Sequence, residues 1–246
     1  MIEPLFSQVR EQLIPVIPEI IRQHKEETRV DSAHADMVMG YGQLITRTIA
    51  DIRIGIYRQM PDEVIQQQAG DIAHRTATFN KAQVNRQFQS VLGINPLLSE
   101  RWLEPKVAAF VEQNVSLIKS IPTEYLKKVE QMVRSTVERG VSTETLTGQI
   151  FDEFDVTRRR AHLIARDQVS KYNGKLHELR QRESGVKEYI WSTSKDERVR
   201  PRHAAMDGKK VSWDDPPPVG SNGEKLHAGE DFQCRCVSLP VLDEFL

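Results

Sequence analysis

Cysteine is nearly absent from this chain: two in 246 residues, standing together as Cys234-Arg235-Cys236. Such a spacing is a poor disulfide framework, which points to synthesis and residence inside a cell or particle rather than in an oxidising space. No apolar run approaches the length that spans a bilayer, so no membrane partner is expected. The opening Met1-Ile2-Glu3-Pro4 has no basic segment leading into an apolar one, so no secretory signal is expected. No repeat of solenoid period is present. Neither a glycine-rich phosphate loop nor an H-E-x-x-H zinc motif occurs, which removes the commonest nucleotide-dependent and metalloprotease classes. A helix-turn-helix or other base-reading motif is also missing.

What is present is enough apolar material for a core. Hydrophobic residues make up 39% of the chain and charged residues 28%, which excludes wholesale disorder. The length suits one large domain or two modest ones. Net charge is −1, yet its distribution is uneven. Fifteen Lys/Arg against seven Asp/Glu give +8 between Thr157 and Lys210, and two against seven give −5 from Val211 to Leu246. A basic centre between acidic flanks is compatible with nucleic acid, with an acidic protein surface, or with a solvated helix face.

The first three-quarters reads as helix. Leu5, Val9, Leu13, Val16 and Ile20 repeat at threes and fours, with Pro15 and Pro18 predicting a kink or break. A second helix is predicted over Asp31–Gln59, with Met37, Met39, Leu44, Ile45, Ile49, Ile52 and Ile56 inward. Pro61 starts a third, burying Val64, Ile65, Ile72, Ala73 and Phe79 and continuing through Phe88 to Leu92. Gly93-Ile94-Asn95-Pro96 is a break. Another helix follows from Leu97 to Lys119, and Pro122 opens the next, with Tyr125, Val129, Met132, Val133 and Val137 on one face and its end at Gly140. Ser142 caps a short helix burying Leu146, Ile150, Phe151 and Phe154. Thr157 caps one more, carrying Ala161, Ala165, Val169, Tyr172, Leu176 and Leu179 on one side and ending near Ser184-Gly185.

After Gly185 the period changes. Lys187–Thr193 alternates around Tyr189 and Trp191 and reads as a strand. Arg202–Met206 is one helical turn, Lys209–Trp213 a second strand, the proline- and glycine-rich 214–229 a loop, and Cys234–Leu239 a third strand. The fold class is therefore α+β: a mainly helical N-terminal body with a small C-terminal β-containing module. The expected organisation is a helical N-terminal region over 1–96, a helical middle region over 97–155 and a C-terminal domain over 156–246.

That last segment carries an ordered set of motifs. Arg160-Ala161-His162-Leu163-Ile164-Ala165-Arg166-Asp167-Gln168 comes first, then Tyr189-Ile190-Trp191-Ser192-Thr193 and Asp196-Glu197-Arg198-Val199-Arg200. His203, Asp207-Gly208, Trp213-Asp214 and Pro216-Pro217-Pro218 follow. Gly229-Glu230-Asp231, Cys234-Arg235-Cys236 and Leu239-Pro240 close the series. In this order and spacing, Val156–Leu246 resembles the C-terminal domain of the phage Mu F-like head morphogenesis family. The resemblance extends through Ser116–Asp155 and does not take in Met1 to about Leu98. It implies a minor head protein of a tailed phage, made in the bacterial host cytoplasm and located in the virion head. The partners it implies are a portal protein, a capsid or scaffold protein and the packaged double-stranded DNA. Many relatives carry a Cys-x-x-Cys near the position of Arg198-Val199-Arg200-Pro201, where this chain has none.

Chemistry gives the same residues further readings. Cys234 and Cys236, two apart on a strand, would face the same way. With His203 and His227 they make a two-histidine, two-cysteine set suited to tetrahedral Zn²⁺. The alternative is packed thiols, hydrogen-bonding histidines and no cofactor. Asp196, Arg198, Arg200 and Asp207, with His203, are candidates for an ionic network across the strands. Arg158, Arg159, Arg166, Lys171 and Lys175 are candidates for phosphate contacts without sequence specificity. Trp191 and Trp213 read as core. An enzyme is the rival class: His203 with Cys234 or Cys236 as base and nucleophile, or His203, Asp207 and Asp231 as a hydrolytic set, acting as a DNA-binding or metal-dependent hydrolytic enzyme of the virion. The non-enzymatic assembly role is the reading favoured here.

Overall fold

The structure is a computed structural model that describes residues 3–28, 40–96 and 99–245. The expected start of the second helix at Asp31, with Met37 and Met39, and the expected helix start at Leu97 lie outside these. Among the described residues six helices come first: α1 (Glu3–Gln8), α2 (Ile17–Glu27), α3 (Tyr41–Gln59), α4 (Asp62–Leu92), α5 (Leu103–Glu138) and α6 (Thr143–Glu183). Strand β1 (Glu188–Ser192), the single turn α7 (Pro201–Ala204), β2 (Lys210–Ser212) and β3 (Val237–Pro240) follow. The α+β class, helical body first, is thus what the chain adopts.

Packing divides the chain into two compact units, residues 1–66 with 115–162 and residues 67–114 with 163–246. In the first, Leu5, Val9, Leu13, Ile17 and Ile20 make one buried row. A π-helical turn (Val9–Leu13) and a 3-10 turn (Ile14–Val16) lie between α1 and α2. Pro15 and Pro18 fall in the first turns of the segments they enter, where a missing N–H leaves no bond unmade. The row packs with Ile45, Ile49, Ile52 and Ile56 of α3, with Tyr125, Leu126, Val129 and Val133 of α5, and with Leu146, Ile150 and Phe154 of α6.

Two helix boundaries read from sequence are corrected. Pro122 does not open a helix; it lies inside α5. Ser120 Oγ and Thr123 Oγ1 bond the carbonyls of Leu117 and Lys119, on either side of the Ile118 carbonyl that the proline leaves without its helical donor. Thr157 caps nothing. It is buried in the middle of α6, a continuous helix with no breaker between Phe154 and Arg158. The change of apolar face there marks a change of neighbours: Ile150 and Phe154 belong to the first unit's core, Tyr172 and Leu176 to the second's.

The buried face of α4 is also not the one that size suggests. Val64, Ile72 and Phe79 are exposed, Phe79 by 57%. Ile65, Ala69, Ala73, Ala77, Val84 and Phe88 are buried instead. Three alanines four apart make a narrow stripe, which lets a neighbouring backbone approach closely; Ala73 and Ala77 pack with Phe110, Tyr172 and Leu176. Phe151 and Ala165 are likewise exposed rather than inward.

In the second unit β1 is the central strand of an antiparallel sheet ordered β2-β1-β3. Tyr189 pairs with Val211 and Pro240, and Trp191 with Ser238. Alternate residues Tyr189 and Trp191 are buried on one face with Val211, Trp213, Val219, Ala228, Cys234 and Cys236. Both tryptophans are core, as expected. Helix α6 is stitched to the module by backbone carbonyls: Gln181 Nε2 donates to Ser238 O at 2.9 Å and Arg182 Nη1 to Trp213 O at 2.8 Å. An interior network fixes α6 as well. Fully buried Arg180 donates to Glu100 and to Asn80 Oδ1, each at 2.6 Å.

Candidate metal centre

The expected third strand starts later than predicted, at Val237, so Cys234 and Cys236 lie in the turn before β3. The reason is local. Gln233 has φ 53°, a left-handed conformation that ends extended backbone, and Cys234 N–H bonds back to Asp231 O at 3.1 Å. The turn still brings the two thiols together: Cys236 N–H points at Cys234 Sγ, 3.4 Å away. Turn α7 delivers His203 to the same point. Its Nδ1 lies 3.5 Å from Cys234 Sγ and 3.6 Å from Cys236 Sγ. The three ligand atoms lie within 4.8 Å of one another, and all three residues are buried.

The other face of the imidazole decides its tautomer. Nε2 sits 3.1 Å from Asp231 Oδ2, and a carboxylate only accepts, so Nε2 carries the proton and a neutral ring keeps its Nδ1 lone pair toward the sulfurs. Asp231 is gripped in turn by Arg200 at 3.3 Å and Arg202 at 3.5 Å. Trp191 stands edge-on to the His203 ring, 5.6 Å between centroids. Its fully buried indole N–H faces the Cys236 thiol.

The thiols are strongly unequal. A hydrogen bond from the Cys236 thiol, helped by the backbone N–H groups of Cys236 and Gly229, holds Cys234 down at about 5. The same bond, with burial, pushes Cys236 well above the thiol range. Gly229 reaches this position with φ 92°, a conformation L side chains rarely adopt. Beside the pair lies a cavity of about 230 Å³, lined by both cysteines, Ser170, Asn173, His177 and Ser238. A thiolate, an imidazole lone pair and a second thiol around one point can bind a borderline or soft metal. A thiol, imidazole and carboxylate in series can also activate a nucleophile.

His227, the fourth member of the expected set, is held elsewhere. Its Nδ1 is 3.1 Å from Tyr189 OH, its backbone N–H donates to Glu230, and its ring lies against Trp213 at 4.8 Å. Burial lowers its affinity for a proton. The four residues expected in one ionic network separate into three groups. Asp196 pairs with Arg235 and accepts the Arg198 backbone N–H. Arg200 serves Asp231. Asp207 accepts Thr193 N–H and Oγ1–H at 2.8 and 2.9 Å.

Of the basic residues, Arg158 pairs with Asp155, Lys171 with Asp167 and Lys175 with Glu178. Arg166 donates to the neutral amide of Gln233, and Arg159 is exposed without an ion pair among the described residues. Sequence reasoning grouped Asp231 with His203 only as part of a hydrolytic set with Asp207, not as the group that orients the imidazole toward the thiols, and missed Arg202 behind it. The available signal was Asp231 three residues before Cys234, a distance one turn can close.

With this geometry in place, a protein-family model described as "Phage Mu protein F like protein" matches residues 127–239. Over this stretch the chain is similar to the phage Mu F-like family. The stretch takes in the end of α5, all of α6, the sheet up to Leu239, and His203, Asp231, Cys234 and Cys236. The Mu F-like family is one of phage-head-related proteins. The chain is also 41% identical over 183 residues to an uncharacterized protein of Haemophilus influenzae. That match covers 72% of this chain and 40% of the relative, so the chain spans well under half of that protein's length. No solved structure matches. No helix among the described residues is long and apolar enough to cross a membrane.

Proposed function

We propose that this chain is a minor head protein acting in phage head morphogenesis, a docking part of the virion head rather than an enzyme. The observation that carries the reading is the Mu F-like match over 127–239, which coincides with the whole sheet-bearing module and its supporting helix. In this reading the module makes contacts with a portal protein and with the capsid interior or scaffold, and basic residues of α6 meet packaged DNA without sequence preference.

A thiol-hydrolase reading has one observation behind it, the series Cys234, His203, Asp231. It is disfavoured because both thiols are buried, at 3% and 6% exposure, and a nucleophile has to meet its substrate. The assembly role is tested by coexpressing the chain with a phage portal protein and major capsid protein and purifying the particles. The expected result is a few copies per head by quantitative mass spectrometry and comigration with portal rings in a gradient. Absence from purified heads and from portal rings overturns the reading. Turnover of a substrate that His203→Ala abolishes moves it to the enzyme class.

A further inference from the structure

We propose that His203 Nδ1, Cys234 Sγ and Cys236 Sγ form a site for one Zn²⁺, with Asp231 as the group that orients the histidine and the fourth position open to the adjoining cavity. The inference stands independently of the head-assembly reading. It differs from the ligand set expected from sequence in leaving out His227.

Distances carry the argument first. A tetrahedral zinc with ordinary Zn–S and Zn–N bonds holds a sulfur and a nitrogen about 3.6 Å apart. The two Sγ–Nδ1 separations here are 3.5 and 3.6 Å. A histidine accepting one S–H needs only one sulfur at that range. Two sulfurs at nearly equal distance from one lone pair is the arrangement of a shared ion.

The surroundings repeat the logic. A ligating histidine usually donates its other N–H to a carboxylate, which fixes the tautomer and raises ligand basicity; the Nε2–Asp231 contact at 3.1 Å does this. Two arginines brace Asp231. The Cys236 N–H directed at Cys234 Sγ stabilises a thiolate from the protein's own backbone. The buried Trp191 indole N–H, which faces the Cys236 thiol, stands in the same cluster. Two thiolates and an imidazole favour zinc over the hard cations magnesium and calcium. Among the described residues no further His, Cys, Asp or Glu joins the cluster, so water or a small ligand completes the tetrahedron. The cavity beside the thiols, about 230 Å³, gives the ion a way in. A three-stranded module with a small core also gains stability from such a staple.

The test uses the full chain purified without chelator. About one zinc per chain by elemental analysis is expected, with a lower melting temperature after chelation. Exchange with Co²⁺ should give the thiolate-to-cobalt charge-transfer band of a site with sulfur ligands. Alkylation of both cysteines should be slow in the loaded protein and fast after chelation. The double variant Cys234→Ser, Cys236→Ser should lose the metal, Asp231→Asn should weaken Zn²⁺ binding roughly 10- to 100-fold, and His227→Gln should keep full stoichiometry. Wild-type protein that is metal-free, gives no cobalt band and melts unchanged in chelator overturns the proposal, whatever the variants do. Rapid alkylation of one thiol in protein that is already metal-free as purified, before any chelator is added, also overturns it and assigns the pair to a nucleophile.

Discussion

His177 lies on α6 with 3% of its surface exposed and its Nδ1 without a partner among the described residues. Burial, with the neighbouring Arg180 guanidinium, drops its pKa to about 4. Folded protein therefore refuses a proton that the unfolded chain takes up near 6.5. The sign follows directly: the stability is fully present above that unfolded value and is lost as pH falls toward the folded one. Between pH 7 and pH 5 the loss amounts to about 2 kcal/mol. His177→Gln should abolish that share, so urea midpoints of wild type and variant should converge on acidification at fixed metal concentration. Parallel curves would refute it. At this scale the chain was partly legible. Cys234, Cys236 and His203 were identifiable from residue type and order, because few side chains ligate zinc. The orienting role of Asp231, the place of Arg202 and the buried state of His177 were not, because each depends on which loop meets which helix.

At the scale of elements, ends were more legible than faces. Gly140 closes α5 with φ 69°, and Ser142 opens α6 by accepting Thr145 N–H at 3.2 Å, both as the sequence suggests. Such signals are local, so they survive without knowledge of neighbours. We expect Ser142→Ala to cost about 1 kcal/mol and Ser142→Asp to retain most of the stability, read from chemical denaturation; an unchanged midpoint for the alanine variant would show that the cap contributes nothing. Faces and continuations were harder. Ala69, Ala73 and Ala77 are buried while Ile72 and Phe79 are exposed, because close helix packing selects small side chains over hydrophobic ones. Pro122 and Thr157 looked like starts, since proline and threonine favour first turns. Surrounding packing overrode both preferences, and two predicted pairs of helices became α5 and α6. The strands of the module were found to within a few residues. The turn before β3 was not, because the left-handed Gln233 has no glycine to announce it.

For the whole molecule the informative quantity is how much of its charge is free to act at a distance. The +8 between Thr157 and Lys210 suggests strong attraction to DNA, yet a polyanion competes with the carboxylates already paired to those cations. Of five candidate phosphate contacts, Arg158, Lys171 and Lys175 have carboxylate partners on the same helix. Arg159 and Arg166 do not face a carboxylate among the described residues. Binding to duplex DNA through these two should release few counterions. A plot of log K against log salt should then have a slope of about −2, and retention should vanish well below physiological affinity for a specific binder. Exchanging both, Arg159→Gln with Arg166→Gln, should flatten the slope further, while Lys171→Gln should barely change it because Asp167 already screens that ammonium. A slope several-fold steeper, or retention that persists in high salt, would mean that the ion pairs open on contact with phosphate and that the summed charge, rather than its unpaired remainder, governs association.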